Sequence, residues 1–242
     1  MPASSVIADL RARLARIEGA AARHGVLPFG LAAIDQHLPS GGLATGALHE
    51  ISGSPDLADD ASATIFLAGI AARLPGPIFW CLRWRDLFTP ALSHAGLHPD
   101  RLTIVETGSD IASLTAMEEC LRVSGVAAVI GEVARLSTTA SKRLQLAAET
   151  SGVTALVFRR GAACGHQSQG TAAVTRWRIT AAPSEQLGIA ALARARWHVA
   201  LERVCGGEPK SWIVEACDAT GRLALPAALV DRPAAAEERL SA

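Results

Sequence analysis

Between residues 47 and 158 the chain alternates short apolar runs with segments of helical period, and this alternation restricts the fold more than any other feature. Runs at 47–52, 77–82, 102–106, 126–130 and 153–158 read as strands, and the segments at 61–74, 87–95, 111–124 and 138–150 read as helices. Several runs, such as "AAVI" and "ALVF", are apolar at every position, the pattern of a strand covered on both faces. A strand–helix–strand repeat closes by right-handed crossovers into a parallel sheet with helices on each side. The expected fold class is therefore α/β, a doubly wound, mostly parallel sheet flanked by helices. Ser137 is the expected N-cap of the last of these helices and Gly152 its stop.

The flanks differ in kind. In residues 1–26, Ile7, Leu10, Leu14 and Ile17 recur at three- and four-residue steps with arginines between them, which predicts an amphipathic helix. Its apolar stripe needs a surface, either on its own domain or on another protein, and these four residues are the candidate partner-binding set. Pro28, Gly30, Pro39, Gly41, Gly42 and Gly46 then punctuate a turn-rich passage. After residue 158 a loop, "RRGAACGHQSQG", leads to strand-like stretches at 174–180, 197–204 and 212–217, with "GGEPK" as a hairpin connection. Antiparallel additions at the sheet edge are the simplest assignment. The expected organisation is an N-terminal helix (1–26), a core (27–180), a β-rich C-terminal extension (181–230) and a disordered tail (231–242).

Composition removes several function classes. With 23 basic and 23 acidic residues there is no global field to draw the chain onto nucleic acid or an anionic membrane. Arg11, Arg13 and Arg16 interrupt the N-terminus where a signal peptide is most apolar, and no window reaches the length of a membrane span, so a cytoplasmic protein is expected. Five scattered cysteines without C-x-x-C spacing argue against a disulfide framework or a structural zinc site. His94 and His98 have metal-ligand spacing but no third ligand nearby, and Cys164 with His166 sits in a Gly/Ser/Gln-rich loop without an orienting partner. No metal and no cofactor are expected.

The stretch "EISGSPDLADDASATIFLAGIAARL" has the layout of a phosphate-binding loop: a strand entering Gly53, a polar loop and an apolar helix. Counted against G-x-x-x-x-G-K-[ST], however, Ala58 stands at the second glycine, Asp59 at the lysine and Asp60 at the Mg²⁺-binding hydroxyl. Acids replace the cation that a triphosphate needs, adding repulsion to lost attraction.

The segment "LPFGLAAIDQHLPSGGLATGALHEISG" resembles the entry to the ATPase core of RecA-type recombinases, and over nearly the full length the chain resembles the ImuA family. The N-terminal Arg/Leu helix, the short loop at Gly53 and the C-terminal "ERVCGGEPKSWIVEACDATGRLALP" carry that second likeness. The resemblance implies a RecA-like fold and a role in damage-induced (SOS) mutagenesis and translesion DNA synthesis. It implies as partners ImuB, an inactive relative of the Y-family polymerases, and through it an error-prone replicative-type polymerase and the sliding clamp, with RecA as a further candidate. Against the RecA pattern, Gly131 takes the place of the metal-linked aspartate, with Glu132 one position along and so expected on the opposite face. Trp84 or an adjacent arginine takes the place of the glutamate that activates water. A non-catalytic adaptor, a pseudo-ATPase, is the resulting expectation. The rivals are a divergent RecA-like ATPase or DNA-binding protein that modulates recombination, and a SulA-like inhibitor of cell division.

Arginine and tryptophan are interleaved at 83–85, 176–178 and 194–197, a composition suited to stacking on single-stranded nucleic acid. Strand alternation alone explains it too, with Trp177 inward and Arg176 and Arg178 toward solvent. Arg159, Arg160, Arg176 and Arg178 are the candidate DNA-contacting residues, for weak contact without filament formation.

Overall fold

The structure, a computed structural model, describes residues 24–161, 170–184 and 194–226. Its elements are β1 (Val26–Leu27), α1 (Ala32–Asp35), β2 (Leu43–Ala44), β3 (Leu48–Ser52), α2 (Leu57–Arg73), β4 (Ile78–Leu82), α3 (Thr89–His94), β5 (Leu102–Glu106), α4 (Asp110–Leu121), β6 (Ala128–Val133), α5 (Thr138–Ser151), β7 (Thr154–Arg159), β8 (Thr175–Ala182), β9 (Arg196–Val204) and β10 (Lys210–Glu215). One 8-stranded sheet runs in the order β10-β9-β8-β3-β7-β6-β4-β5. From β8 to β5 all pairings are parallel, and β9 and β10 add to the β8 edge antiparallel. This is an α/β fold of the RecA-like kind.

Each face of the sheet carries its own apolar layer. On one, Phe66, Leu67 and Ile70 of α2 and Leu92 of α3 pack over Ile51, Trp80, Ile130, Phe158 and Trp177. On the other, Met117 and Leu121 of α4 and Leu144 and Ala148 of α5 cover Cys81, Val129, Ala155 and Val157. Successive residues of β6 alternate between these layers, as the two-residue period of a strand requires. The helix ends follow the local sequence. Ser137 caps α5 through a bond from the Ala140 amide, and Gly152, at φ 78°, closes it in the left-handed region that a side chain disfavours.

The buried His49 of β3 completes a polar chain across two strands. The Trp177 indole N–H donates to Thr175 Oγ1 at 2.7 Å, the Thr175 hydroxyl donates to His49 Nδ1 at 2.7 Å, and His49 Nε2–H donates to the Ala44 carbonyl at 2.7 Å. Every polar atom of the ring is thus satisfied in its neutral form. Burial pushes the His49 pKa down to about 4, against a smaller upward pull from the Ala44 carbonyl.

Three expectations need correction. β8 is not an antiparallel addition: it lies parallel to β3, with His49 opposite Thr175 and Ser52 opposite Arg178, because residues 160–174 are long enough for a crossover past β3. Among the described residues of the 8-stranded sheet, antiparallel pairing is confined to β8–β9 and β9–β10. α2 begins at Leu57, four residues before the apolar period starts, because Asp56 caps it and Asp59 and Asp60 suit the positive end of the helix dipole. β6 continues to Val133 and takes in Gly131 and Glu132, the latter tolerated inside a strand by the hydrogen bonds described below.

Candidate functional site

The connection from β3 to α2 spans residues 53–56, and it is folded tightly onto the helix it introduces. A Cβ on Gly53 would stand 2.8 Å from Asp60 Oδ1 and 2.8 Å from the Asp59 carbonyl carbon, so only glycine fits this approach. The Asp56 carboxylate accepts from the Ala58 amide at 2.8 Å, occupying an N–H of the kind that cradles phosphate in a P-loop. Asp59 and Asp60 then splay to opposite sides. Asp59 Oδ1 accepts from the Ala181 amide at 2.6 Å, at the end of β8, and its Oδ2 from the Ser54 hydroxyl at 2.5 Å. Asp60 Oδ2 accepts from the Gly161 amide at 3.3 Å, just beyond β7. The two acids that replace the lysine and hydroxyl therefore act as ties between the start of α2 and two strands.

Beside this joint stands a cluster built from four segments. Arg160 Nη1 lies 2.8 Å from Asp86 Oδ1 and 3.3 Å from Glu132 Oε2, and its Nε lies 3.7 Å from Asp60 Oδ2. Glu132 Oε1 accepts from the Trp80 indole N–H at 2.9 Å. Burial raises the pKa of both Glu132 and Asp60, opposed for Glu132 by the Trp80 bond and for Asp60 by the Gly161 amide, with the Arg160 charge opposing it in both. Burial also disfavours the Arg160 charge, but the Asp86 hydrogen bond and the neighbouring carboxylates outweigh it and hold its pKa above the ordinary value. These groups floor a cleft of about 230 Å³ walled by Leu57, Ile65, Phe88 and Leu92. Three carboxylates against one guanidinium leave the cleft anionic, which disfavours a triphosphate.

The cluster corrects the placement of Gly131 and Glu132. Glu132 faces α2 and joins Asp60, whereas Gly131 faces α4, where a Cβ would fall 2.0 Å from Met117 Sδ. The one-residue offset does put the two on opposite faces, but the residue on the α2 face is the acid. Asp86 is the member that sequence reasoning missed. Of the residues that the sequence offers here, Trp84 is 61% exposed, Arg83 pairs with Asp110 at 3.0 Å and Arg85 with Glu106 at 3.3 Å, and Asp86 alone of the four reaches Arg160. Its position after β4, directly before Leu87 and Phe88, was the available signal.

The four candidate DNA-contacting arginines are all engaged internally. Arg159 Nη1 and Arg176 Nε meet the two oxygens of Glu50 at 2.9 and 3.1 Å, and Glu50 is buried at 1% exposure. Arg178 Nε meets Glu202 Oε1 at 2.5 Å, and its Nη1 donates to the Gly53 carbonyl. With side-chain exposures of 11% and 22%, Arg176 and Arg178 are not solvent-facing as the strand alternation suggested. Carboxylates on the adjoining strands draw them over the sheet. Trp177 does point inward, in contact with the rings of Phe29, Phe66 and Trp212.

No family model matches the chain. A protein of Caulobacter vibrioides strain NA1000 described as "Protein ImuA" is 37% identical over 210 residues, covering 80% of this chain and 84% of that one. The protein of the same description from strain ATCC 19089 matches equally. The chain belongs to the ImuA family. ImuA kinship ties the chain in general terms to damage-induced mutagenesis, and the sheet order and helix placement give this ImuA-family chain its RecA-like frame. The stripe Ile7, Leu10, Leu14 and Ile17, the pair Cys164 and His166, and the tail 231–242 lie outside the described residues. Among the described residues no cluster of His, Cys, Asp and Glu is arranged to hold a metal, and no helix is long and apolar enough to cross a membrane.

Proposed function

We propose that this ImuA-family protein is a pseudo-ATPase that serves as a non-catalytic adaptor in damage-induced mutagenesis. The observation that carries the reading is the commitment of Asp59 and Asp60 to the amides of Ala181 and Gly161, which turns the start of α2 into a structural joint. Phosphoryl transfer relies on positioning and on cations that neutralise phosphate charge. Here the neighbouring cations are already engaged, Arg160 by Asp86 and Glu132 and Arg178 by Glu202 and the Gly53 carbonyl. By family resemblance the partners are ImuB and, through it, the mutagenic polymerase and the sliding clamp. Contact of DNA with Arg159, Arg160, Arg176 and Arg178 would require exchange of their ion pairs, and would weaken steeply with salt.

One observation favours the rival, a divergent ATPase: Glu132 faces α2, where a metal-linked acid belongs. Thermal unfolding with and without saturating Mg²⁺-ATP separates the two, since a ligand that binds the folded state must raise the melting temperature by mass action. No rise is expected in the wild type. A strong rise, altered in Asp59→Ala, would sink the pseudo-ATPase reading. Affinity capture of the tagged chain after DNA damage, with ImuB recovered stoichiometrically, tests the adaptor role separately.

A further inference from the structure

The cleft beside α2 leaves apolar surface as well as charge in water. Leu57 is 81% exposed and Phe88 is 69% exposed, and both stand on its walls. They arrive from different connections: Leu57 opens α2 behind the Asp56 cap, and Phe88 directly precedes α3. At those exposures neither adds to the core, and together they offer burial to a group that enters between them. The cleft lies at the carboxyl ends of β3, β4, β6 and β7, the end of a parallel sheet at which α/β folds take their ligands.

The floor determines what kind of group that is. Asp60, Asp86 and Glu132 surround one guanidinium, Arg160, whose Nη1 is divided between one oxygen of Asp86 and one of Glu132. The Asp86 side chain remains 49% exposed, and among the described residues no donor is set against its Oδ2. An open carboxylate oxygen over an anionic floor attracts a cation and repels phosphate. Among the described residues no set of carboxylates converges as metal ligands do. At about 230 Å³ the cleft also falls below the roughly 300–1,000 Å³ of small-molecule pockets, and its size suits one long side chain with its neighbour. Arginine meets each of these conditions. Its planar guanidinium bonds a carboxylate through paired N–H groups, sheds water more readily than an ammonium, and stacks on an aromatic ring such as that of Phe88.

We propose that this cleft receives an arginine side chain of a partner protein, with the guanidinium on Asp86 beside Phe88 and an adjoining apolar residue against Leu57. The proposal rests on the adaptor reading and gives the partner a chemistry: a segment in which arginine neighbours a large apolar residue.

The test titrates the full, isotope-labelled chain with an acetylated pentapeptide carrying one arginine between two leucines, followed by NMR. The amide resonances of Asp86, Leu87 and Phe88 report on the cleft, as does the Trp80 indole N–H, which donates to Glu132 at 2.9 Å. Saturable shifts at these positions are expected. Replacing the arginine by citrulline, which is neutral and of the same shape, should weaken binding about tenfold, because a charged hydrogen bond is lost. Asp86→Asn should weaken it by a similar factor, and Phe88→Ser, which leaves the Arg160 pairs untouched, by about threefold. Equal binding of the citrulline peptide, or no saturable shift at millimolar peptide, would overturn the proposal, and the citrulline comparison changes only the probe, so it cannot come from misfolding. Spermidine or Mg²⁺ moving the same resonances at lower concentration than the peptide would give the cleft to a small cation and overturn it as well. Affinity capture that recovers the partner equally with the wild type and Asp86→Asn would remove this site and leave the adaptor reading standing. Failure of capture by the wild type would sink the adaptor reading whatever the peptide does.

Discussion

Acidification should weaken this fold at His49. His49 has a pKa lowered from 6.5 to about 4 in the folded state, because the ring is buried and all its polar atoms are engaged as the neutral form. The unfolded chain takes up the proton near the ordinary value, whereas the folded chain resists until about pH 4. The stabilisation from keeping this group neutral is thus fully present above about pH 6.5 and is lost as pH falls toward 4. A displacement of about 2.5 in pKa, at 1.36 kcal/mol each, corresponds to about 3 kcal/mol in total, of which about 2 kcal/mol falls between pH 7 and pH 5. Asp60 and Glu132 work the other way: their raised pKa values mean that acid relieves them, so the whole-protein profile is a sum of opposed slopes. The clean measurement is therefore a difference. Urea unfolding followed by tryptophan fluorescence at pH 7, 6 and 5 should be run on the wild type and on His49→Gln. The glutamine amide can accept from Thr175 and donate to Ala44 without titrating. His49→Gln should lose some stability at pH 7, but the gap should close by about 2 kcal/mol at pH 5. A gap that stays constant across this range would refute the assignment of a buried, neutral imidazole.

Two further perturbations follow from the geometry. Glu50→Ala removes the buried carboxylate that Arg159 and Arg176 share. A loss of about 3–5 kcal/mol is expected in chemical denaturation, and a loss below about 1 kcal/mol would mean that the pairs are solvent-screened. Gly131→Ala puts a methyl group against Met117 and should cost about 1–3 kcal/mol. Combining it with Met117→Ala should recover part of that loss, whereas strict additivity would argue against contact between the two positions.

The parallel core was legible because its strands are apolar throughout and its helices periodic, and both signals report burial directly. The direction of β8 was not, because an alternating strand such as "TRWRITAA" reads the same whether its neighbour runs with it or against it. The start of α2 was hidden for a related reason: Asp56, Asp59 and Asp60 are polar, and polarity in a sequence looks like loop until the helix dipole and cap give it a place. For the candidate site, the absent lysine was plain from counting, but the replacement bonds were not. Asp60, Asp86, Glu132 and Arg160 come from four separate segments, and their meeting depends on the order of β3, β7, β6 and β4 in the sheet. His49 escaped notice for the same cause, since Thr175, its partner, is 126 positions away.

In a nucleotide-driven machine the loop before this helix is ordered when its ligand arrives and relaxed when the products depart. Here the anions that satisfy the loop and the strand ends are covalent parts of the chain, at Asp56, Asp59 and Asp60. On the pseudo-ATPase reading proposed above, the segment is set once, when the polypeptide folds, and its order is indifferent to the energy charge of the cell. On that reading the molecule has exchanged a clock for a fixed shape.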